Sequence, residues 1–364
     1  MFLLSSLRVG GSEAKTIRLA NALAAEDHRV TIAYLSPPES LLSRVHSAIA
    51  CVNLHRRGKL SIKALRWLVS TIKERKISTL VAVNPYPALY AVLARPLCRG
   101  ADLRLVVSVN TTEFATQKEK LQMLLYRHVL PRADLLIFGA ERQRRLWCTR
   151  YGLGRTSENT TVLYNGVDTR EFFRASVVPA MIDQPEDRLM LGTVGALRAE
   201  KAQTDLVRTV CELARRGVDV GAIIAGEGPE RSKIEGEIRR LGVEQRVRLV
   251  GEARDVRPYL ARMDVFVLPS VAVETFSNAA LEAMAMACPV VAARVGGMEE
   301  MLRFGGGVTY SPGDVQSLCD LLMPLLRNAD ARCEMGVQAR RVAEQHFSFE
   351  RMLNDFGERV LNTH

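Results

Sequence analysis

Short apolar runs separated by longer amphipathic stretches recur along the whole chain of 364 residues. A short apolar run bounded by turn residues predicts a buried strand, whereas apolar residues at helical spacing predict a helix. In the first half this pattern predicts helices at Ala88–Ala94 and Lys118–Val129, and strands at Phe2–Ser6, Arg29–Leu35, Ile77–Val83, Leu103–Val109, Leu135–Phe138 and Thr161–Leu163. Strands that alternate with helices indicate a doubly wound parallel sheet, so the predicted fold class is α/β.

The second half of the chain repeats this alternation. Strands are predicted at Leu191–Val194, Val220–Ala225, Val247–Val250 and Val265–Leu268. Residues 176–187 carry two prolines and no periodicity, which is typical of a linker. A chain of this length fits two domains, each able to bury roughly two-thirds or more of its unfolded surface. We therefore expect a first domain at 1–175, a second at 188–343 and, from apolar residues at helical spacing, a terminal helix at 344–364.

Residues 265–300 contain the most informative loop. The strand Val265–Leu268 ends at Pro269, and Asn278 is predicted to cap a helix from Ala279 to about Ala287. Backbone amides at a helix start have no partner within the helix, and such a cluster attracts phosphate. The amides predicted to do so are those of Thr275, Phe276, Ser277, Asn278 and Ala279.

Two carboxylates accompany this loop. Glu274 lies in the loop and Glu282 lies about one turn into the predicted helix, so both can face one crevice. A phosphate repels a carboxylate, whereas a sugar or ribose hydroxyl can donate a hydrogen bond to it. Amides for phosphate and carboxylates for hydroxyls together predict a nucleotide-sugar ligand.

A cationic pair follows the first strand of the second half. Gly195 ends that strand, and Arg198 and Lys201 lie three residues apart just behind it. Arginine supplies a planar fork of donors and lysine a point charge, and both suit a diphosphate. The pair predicts where the phosphates of the ligand are neutralised.

The E-x7-E spacing of Glu274 and Glu282, the LEAMA run, the PVVA strand and the VGG-x-E turn resemble the donor site of the retaining GT-B glycosyltransferases. The G-x-L-x-x-x-K stretch from Gly195 and the NGVD turn from Asn165 resemble the same large family, the glycosyl transferases group 1 or family 4-like enzymes. The resemblance implies two Rossmann-like domains facing a cleft, with the terminal helix crossing back to the first domain. It also implies transfer of a sugar from a nucleoside diphosphate to a hydroxyl, with the anomeric configuration retained.

The resemblance further implies roles for single residues. Arg198 and Lys201, with the loop amides, would stabilise the charge that grows on the leaving diphosphate. Glu274 would bind the hydroxyls of the sugar and Glu282 those of the ribose, which makes Arg198, Lys201 and Glu274 the expected catalytic residues. Further donor contacts are expected from two glycine turns and from loops that resemble those holding the base, at Gly10, Gly11, Gly195, Gly226, Glu227, Arg254 and Val256.

Two positions depart from the family pattern. Asn110 and Thr111 stand where many relatives have a histidine that contacts the transferred sugar, and they are the candidates for the acceptor side. Cys288 stands before Pro289, where relatives usually have glycine, and is expected to be neutral because it is small. A nucleotide-sugar-binding protein without catalysis therefore stays an alternative, as does a phosphorylase or sugar-phosphate synthase of the same fold.

The net charge of +10 is concentrated in the first half. Residues 1–175 carry 27 Lys and Arg against 13 Asp and Glu, a net charge of +14. After Gly58 the chain as far as Lys76 is predicted to be helical, with an apolar stripe of Leu65, Leu68, Val69 and Ile72 and a basic face. Such a helix is typical of a membrane surface and equally of a solvated helix face. An anionic membrane surface and a glycan or lipid-linked acceptor are the expected partners, and nucleic acid is not, because no nucleic-acid motif accompanies the charge. The helix carries Trp67 beside Lys59, Lys63, Arg66 and Lys73.

The remaining patterns argue against several classes of protein. No apolar run approaches the roughly 20 residues of a membrane span, and a basic leader is missing, so a cytoplasmic protein at the inner face of the plasma membrane is expected. The seven cysteines form no C-x-x-C pair, which argues against a disulfide framework or a zinc site. Without a D-x-D pair, metal-independent activity without a cofactor is expected, in polysaccharide, lipopolysaccharide or glycolipid assembly.

Overall fold

The computed structural model describes residues 1–8, 10–98, 100, 102–110, 117–153, 159–185 and 187–361, without the side chains of 117–120. Within this range the chain divides into two units. The first comprises Met1–Tyr164 together with the segment from Met352 onward, and the second comprises Asn165–Arg351. Each unit contains a parallel sheet with helices, so the α/β class with two doubly wound sheets is confirmed.

In the described part of the first unit, seven parallel strands form a sheet in the order β3-β2-β1-β4-β5-β6-β7. They are β1 (Phe2–Leu4), β2 (Thr31–Tyr34), β3 (Ala50–Asn53), β4 (Thr79–Val83), β5 (Arg104–Val109), β6 (Leu135–Phe138) and β7 (Thr160–Val162). The helices are α1 (Gly11–Ala25), α2 (Ile62–Glu74), α3 (Pro85–Ala94), α4 (Gln117–Val129) and α5 (Glu141–Tyr151). The chain winds outward in both directions from β1 and β4, so their carboxyl ends form the topological switch point of this sheet.

The described part of the second unit has six parallel strands in the order β10-β9-β8-β11-β12-β13. They are β8 (Leu189–Val194), β9 (Val220–Ala225), β10 (Val247–Gly251), β11 (Val265–Leu268), β12 (Val290–Ala293) and β13 (Gly307–Tyr310). The helices are α6 (Gln203–Arg215), α7 (Arg231–Leu241), α8 (Arg257–Arg262), α9 (Asn278–Ala285), α10 (Met298–Leu302), α11 (Val315–Arg327) and α12 (Ala329–His346). A last helix, α13 (Phe349–Phe356), continues into the terminal segment. Here the switch point lies between β8 and β11.

The central strands are buried at every position because helices pack on both faces of a parallel sheet. This explains why β6, β9 and β11 have the bounds that the apolar runs predict. In the first unit Trp147 of α5 is fully buried, and its ring packs against that of Phe138 with the ring centroids 6.1 Å apart. In the second unit Phe266 and Val291 are fully buried in the sheet. Each such side chain contributes about 1.5–3 kcal/mol through burial of apolar surface.

The predicted basic helix is α2, but it begins only at Ile62, so Lys59 lies in the loop before it and its placement on the helix is wrong. It begins after the cap residue Ser61, whose side chain accepts a hydrogen bond from a first-turn amide at 3.2 Å. Leu68 and Ile72 are fully buried, as the apolar stripe predicts. The opposite face is exposed and carries Lys63, Arg66, Trp67 and Lys73. No helix among the described residues combines the length and the apolar character that crossing a membrane requires.

The turn after α9 differs from the sequence interpretation. Cys288 is fully buried, and the residue in the left-handed region is its neighbour Ala287, with φ of +54°. Glycine is favoured in that region because it has no Cβ. The position at which a glycine would fit is therefore Ala287, and the interpretation of Cys288 as the substituted glycine is wrong by one residue.

Candidate functional site

The loops after β8 and β11 meet at the carboxyl edge of the second sheet. The amide of Val271, behind β11, donates to the carbonyl oxygen of Glu200, behind β8, at 2.9 Å. In open α/β sheets ligands bind outside the carboxyl ends of strands at the switch point, and β8 and β11 flank that point here. The predicted cationic pair and the predicted carboxylate loop therefore belong to one place in the fold.

Lys201 and Glu274 form an ion pair at this edge. The Lys201 Nζ lies 2.5 Å from the Glu274 Oε2, and the hydroxyl of Ser270 donates to the same oxygen at 3.3 Å. Glu274 is only 8% exposed. A carboxylate this deeply buried is stable when it is paired and hydrogen-bonded, and Lys201 and Ser270 supply both. The sequence pointed to both partners of the ion pair but not to Ser270.

Arg198 lies in the same loop and faces solvent. Its side chain is 59% exposed, and its nearest carboxylate is that of Glu200, at 4.0 Å. Arg198 precedes the 3₁₀ turn Ala199–Lys201, Lys201 ends that turn, and α6 begins only at Gln203. Lys201 therefore turns inward to Glu274, while Arg198 stays at the surface.

Glycines hold the loops after β8 and β9 together through their backbones. A side chain on Gly226 would collide with the carbonyl oxygen of Gly195. Behind them the amide of Leu197 donates to the carbonyl oxygen of Glu227 at 2.9 Å. Gly195 itself has φ of +152°, a conformation that favours glycine. The two predicted glycines thus allow two main chains to approach each other.

The VGG turn supports the loop that carries Glu274. A side chain on Gly296 would collide with the carbonyl oxygen of Glu274, and φ at Gly296 is +56°. The amide of Gly297 donates to the carbonyl oxygen of Thr275 at 2.7 Å. Because the turn is hydrogen-bonded directly to the loop, a shift of the turn moves the carboxylate of Glu274.

The start of α9 differs in one respect from the predicted arrangement. Ser277 is the cap residue, and its side chain accepts a hydrogen bond from the amide of Ala280 at 3.3 Å. Asn278 is the first helical residue, so its assignment as the cap is wrong. Asn278 and Glu282 are four apart on one helix and lie on the same face, and both are half-buried. Thr275 and Phe276 complete the loop in front of them.

Asn165 of the NGVD turn contacts this helix start, which the sequence did not predict. Its Nδ2 donates to the carbonyl oxygen of Phe276 at 2.9 Å and to the Oδ1 of Asn278 at 2.8 Å. The NGVD motif was the available signal, but the motif does not tell which loop its asparagine contacts. The contact spans more than one hundred residues of sequence.

The candidate base-binding loops lie beyond β9 and β10. The amide of Gly226 donates to the carbonyl oxygen of Gly251 at 2.8 Å, so the two loops are adjacent. The carboxylate of Glu227 pairs with Arg231. Arg254 is exposed, and Val256 is half-buried at the start of α8. The side chain of Glu227 is thus occupied by Arg231, and its main-chain carbonyl accepts a hydrogen bond from Leu197 in the loop after β8.

The first glycine turn contains a carboxylate of its own. Gly10 has an extended backbone with φ of −172°, and the carboxylate of Glu13 lies where a side chain at position 10 would be. The hydroxyl of Ser12 donates to that carboxylate at 2.9 Å. A carboxylate is favourable at a helix start. The role of Gly10 and Gly11 in donor binding stays a prediction.

Asn110 lies at the carboxyl end of β5 in the first unit. Its amide donates to the Oδ1 of Asn84 at 3.0 Å. Asn84 has φ of +74° and ψ of 162°, a region that residues other than glycine occupy at a cost of about 1–3 kcal/mol. Such strain clusters at functional sites, and sequence reasoning did not find Asn84. Thr111 lies outside the described residues.

Lys15 in α1 lines a small cavity with Ser108 and Asn110. Burial lowers the pKa of its ammonium group to about 8. No carboxylate in the described part of the chain pairs with it. Among the described residues, no three histidine, cysteine, aspartate or glutamate side chains converge as a metal site requires, and metal independence stays a prediction.

Two family models match most of the chain. The model described as Glycosyltransferase Family 4 matches residues 9–171, and the model described as Glycosyl transferases group 1 matches residues 188–328. The first falls on the first sheet and the second on the sheet that carries Lys201 and Glu274.

Curated relatives and a solved structure are similar to the chain. An N-acetyl-alpha-D-glucosaminyl L-malate synthase from Bacillus anthracis is 27% identical over 56% of this chain and 54% of its own length. A GDP-mannose-dependent monoacylated alpha-(1-6)-phosphatidylinositol monomannoside mannosyltransferase from Corynebacterium glutamicum is 28% identical over 65% of this chain and 63% of its own length. The chain thus spans between half and two-thirds of these relatives. The Anabaena protein HepE, crystallised with UDP, superposes with a TM-score of 0.83 at 21% identity over 98% of both chains, which shows a shared fold.

Proposed function

Because the chain belongs to the glycosyl transferases group 1 with the GT-B fold, we propose that it transfers a sugar from a nucleoside diphosphate to a hydroxyl of a glycan or lipid-linked acceptor, with retention of the anomeric configuration. The observation that carries the proposal is the ion pair of the half-buried Lys201 with the buried Glu274 at the switch point of the second sheet. It joins a cation for phosphate to a carboxylate for hydroxyls, and the relatives named above include sugar transferases.

The chemistry follows from how this pair separates. Lys201 and Glu274 satisfy each other at 2.5 Å. When a nucleotide sugar binds, the sugar hydroxyls donate to Glu274 and the diphosphate attracts Lys201. As the glycosidic bond breaks, negative charge grows on the diphosphate, and Lys201, Arg198 and the start of α9 stabilise it more than they stabilise the ground state. This replaces a divalent metal ion, so activity is independent of metal.

Of these two kinds of acceptor we favour the lipid-linked one, which the first unit reaches by docking on an anionic bilayer. The exposed face of α2 and the loop before it support this. Lys59, Lys63 and Arg66 are exposed there, together with Ile62, which is 71% exposed, and Trp67, which is 45% exposed. Cations beside exposed apolar and aromatic side chains are typical of helices that lie at a membrane surface.

The deciding experiment is a screen of nucleotide sugars for donor hydrolysis and transfer, repeated with EDTA. We expect one donor to be turned over and EDTA to leave the rate unchanged. A strict requirement for Mg²⁺ or Mn²⁺ would contradict metal independence, and donor binding without turnover would favour the non-catalytic alternative.

Two variants then test the site. Lys201→Ala and Glu282→Ala should each lower kcat/KM by about 100-fold or more, since each removes a group expected to bind one end of the donor. Because Lys201→Ala also leaves Glu274 buried without its cation, thermal unfolding has to be recorded alongside. Arg215→Ala, an exposed cation of α6, is the matched control and should keep full activity. Near wild-type kcat/KM in either site variant would refute the site.

A further inference from the structure

The side chain of Asn165 determines how Asn278 presents its carboxamide. The Nδ2 of Asn165 lies 2.9 Å from the carbonyl oxygen of Phe276 and 2.8 Å from the side chain of Asn278. A carbonyl oxygen can only accept, so the NH₂ end of Asn165 must face this loop. That NH₂ group can only donate, so the atom of Asn278 beside it must be Oδ1. The Nδ2 of Asn278 therefore points away from Asn165.

The Nδ2 of Asn278 donates to no described group at the start of α9. Ser277 caps α9, so Asn278 is free of that task. Within the described residues no acceptor lies at the Nδ2 of Asn278, and the side chain is half-exposed at the edge where Lys201 and Glu274 lie. A phosphate group has only acceptor oxygens at its surface, so it matches the NH₂ end of a carboxamide and repels the oxygen end.

We infer that Asn165 is a positioning residue that turns the carboxamide of Asn278 so that its Nδ2 donates to the diphosphate of the donor. The inference rests on the proposed function, because it needs a nucleoside diphosphate at the start of α9. It goes beyond that function by giving a residue of the NGVD turn a part in diphosphate affinity without any contact to the ligand.

Titration of the protein with UDP and GDP tests the inference. Asn278→Asp retains an oxygen that accepts from Asn165 but replaces the outward donor with a second oxygen. We expect it to lose about tenfold or more in affinity for the diphosphate that the wild type binds, with thermal unfolding nearly unchanged. Unchanged affinity in this variant would overturn the inference.

The role of Asn165 needs a comparison of two substitutions. Asn165→Ala removes the donor and leaves the carboxamide of Asn278 without a fixed orientation. Asn165→Asp can only accept, so it draws the Nδ2 of Asn278 inward and presents an oxygen to the phosphate. Asn165→Asp should therefore weaken binding by about fivefold more than Asn165→Ala.

The same comparison in an Asn278→Ala background separates orientation from charge. There the carboxamide is absent, and only the repulsion between the new carboxylate and the ligand remains. We expect most of the difference between the two Asn165 variants to vanish. An equal difference in both backgrounds would mean that Asn165 acts through charge or folding, and would overturn the inference. If the wild type binds no nucleoside diphosphate, the proposed function itself fails and the inference fails with it.

Discussion

Single residues in the second unit hold backbone conformations that their side chains disfavour. Ala202 and Ala287 have φ of +47° and +54°. In this left-handed region a Cβ approaches the following carbonyl oxygen, at a cost of about 1–2 kcal/mol. Ala202 directly follows Lys201, and Ala287 ends the turn behind α9, so both turns adjoin the candidate site. The strain is borne by loops that the tertiary structure holds in place.

Glycine at either position should stabilise the protein. We expect Ala202→Gly and Ala287→Gly each to raise the free energy of unfolding by about 0.5–1 kcal/mol, because relief of strain exceeds the added freedom of the unfolded chain. Thermal unfolding is the measurement. Ala214→Gly, inside α6, is the control and should lower stability by about 1 kcal/mol. A loss of stability in both turn variants would contradict the inference that Ala202 and Ala287 are strained.

Lys15 should make stability depend on pH in the alkaline range. Burial lowers the pKa of Lys15 from 10.5 to about 8 in the folded protein, so between these values the unfolded chain binds more protons. Stability therefore rises as pH increases from 8 to 10.5, and the full penalty is present below 8. Because the residue keeps some solvent exposure, we discount the penalty to about 1–3 kcal/mol.

Replacing Lys15 by methionine removes this penalty. We expect Lys15→Met to unfold at higher temperature than the wild type at pH 7, and the gain to shrink as pH approaches 10.5. Lys63→Met, on the exposed face of α2, is the control and should change stability by less than about 0.5 kcal/mol at any pH. A gain that is the same at pH 7 and pH 10.5 would show that packing, not charge, is responsible.

At the scale of elements, the candidate site is a set of loops that support one another through their main chains. The loops behind β8 and β11 are joined by a hydrogen bond between Val271 and Glu200, and the turn behind β12 is bonded to Thr275. A parallel sheet brings all carboxyl ends to one edge, which places these loops side by side. Change in one loop is therefore transmitted to the residues of the next.

Gly296→Ala should disturb the site through this support. The new Cβ would collide with the carbonyl oxygen of Glu274, so the loop must move and carry its carboxylate with it. We expect donor affinity to fall by about tenfold or more. Gly313→Ala is the matched control, because Gly313 also has a positive φ, of +78°, but has no atom within 4 Å of the added Cβ. Equal effects of the two on donor affinity would contradict the role of the loop.

At the scale of the whole molecule, charge distinguishes the two halves of the chain. Residues 1–175 carry a net charge of +14, and the remainder carries a net charge of −4. Each basic residue near an anionic membrane is worth about 1 kcal/mol, so Lys63, Arg66 and Lys73 of α2 together with Lys59 of the loop before it contribute roughly 4 kcal/mol before screening. This suits a reversible association that weakens as salt shortens the Debye length.

Vesicle co-sedimentation tests the association. The wild type should sediment with vesicles containing phosphatidylglycerol at low salt, and a variant with Lys59, Lys63, Arg66 and Lys73 changed to glutamate should remain in the supernatant. The control changes four exposed arginines of the second unit to glutamate and should still sediment; they are Arg215, Arg239, Arg327 and Arg341. Absence of wild-type binding, or equal loss in both variants, would leave α2 as a solvated face.

The sequence by itself determined the motifs and the strands other than β3 and β13, which it did not predict. Parallel strands buried on both faces are continuous apolar runs, so β6, β9 and β11 were predictable to the residue. Glycine turns that follow such strands mark the carboxyl edge of a parallel sheet, and for this reason the amino-acid pattern alone assigns Gly195, Gly226 and the loop of Glu274 to one region.

Only the tertiary structure decided which of these groups contact one another. Lys201 and Glu274 are 73 residues apart, and Asn165 and Asn278 are 113 apart. Neither pair follows from local spacing, because hydrogen-bond partners are set by the distance between loops from different strands. The same reason explains why Ser277 rather than Asn278 caps α9, since Asn278 is bonded to a residue outside its own loop. Local sequence thus specifies the elements, and the approach of their loops specifies the contacts of the site.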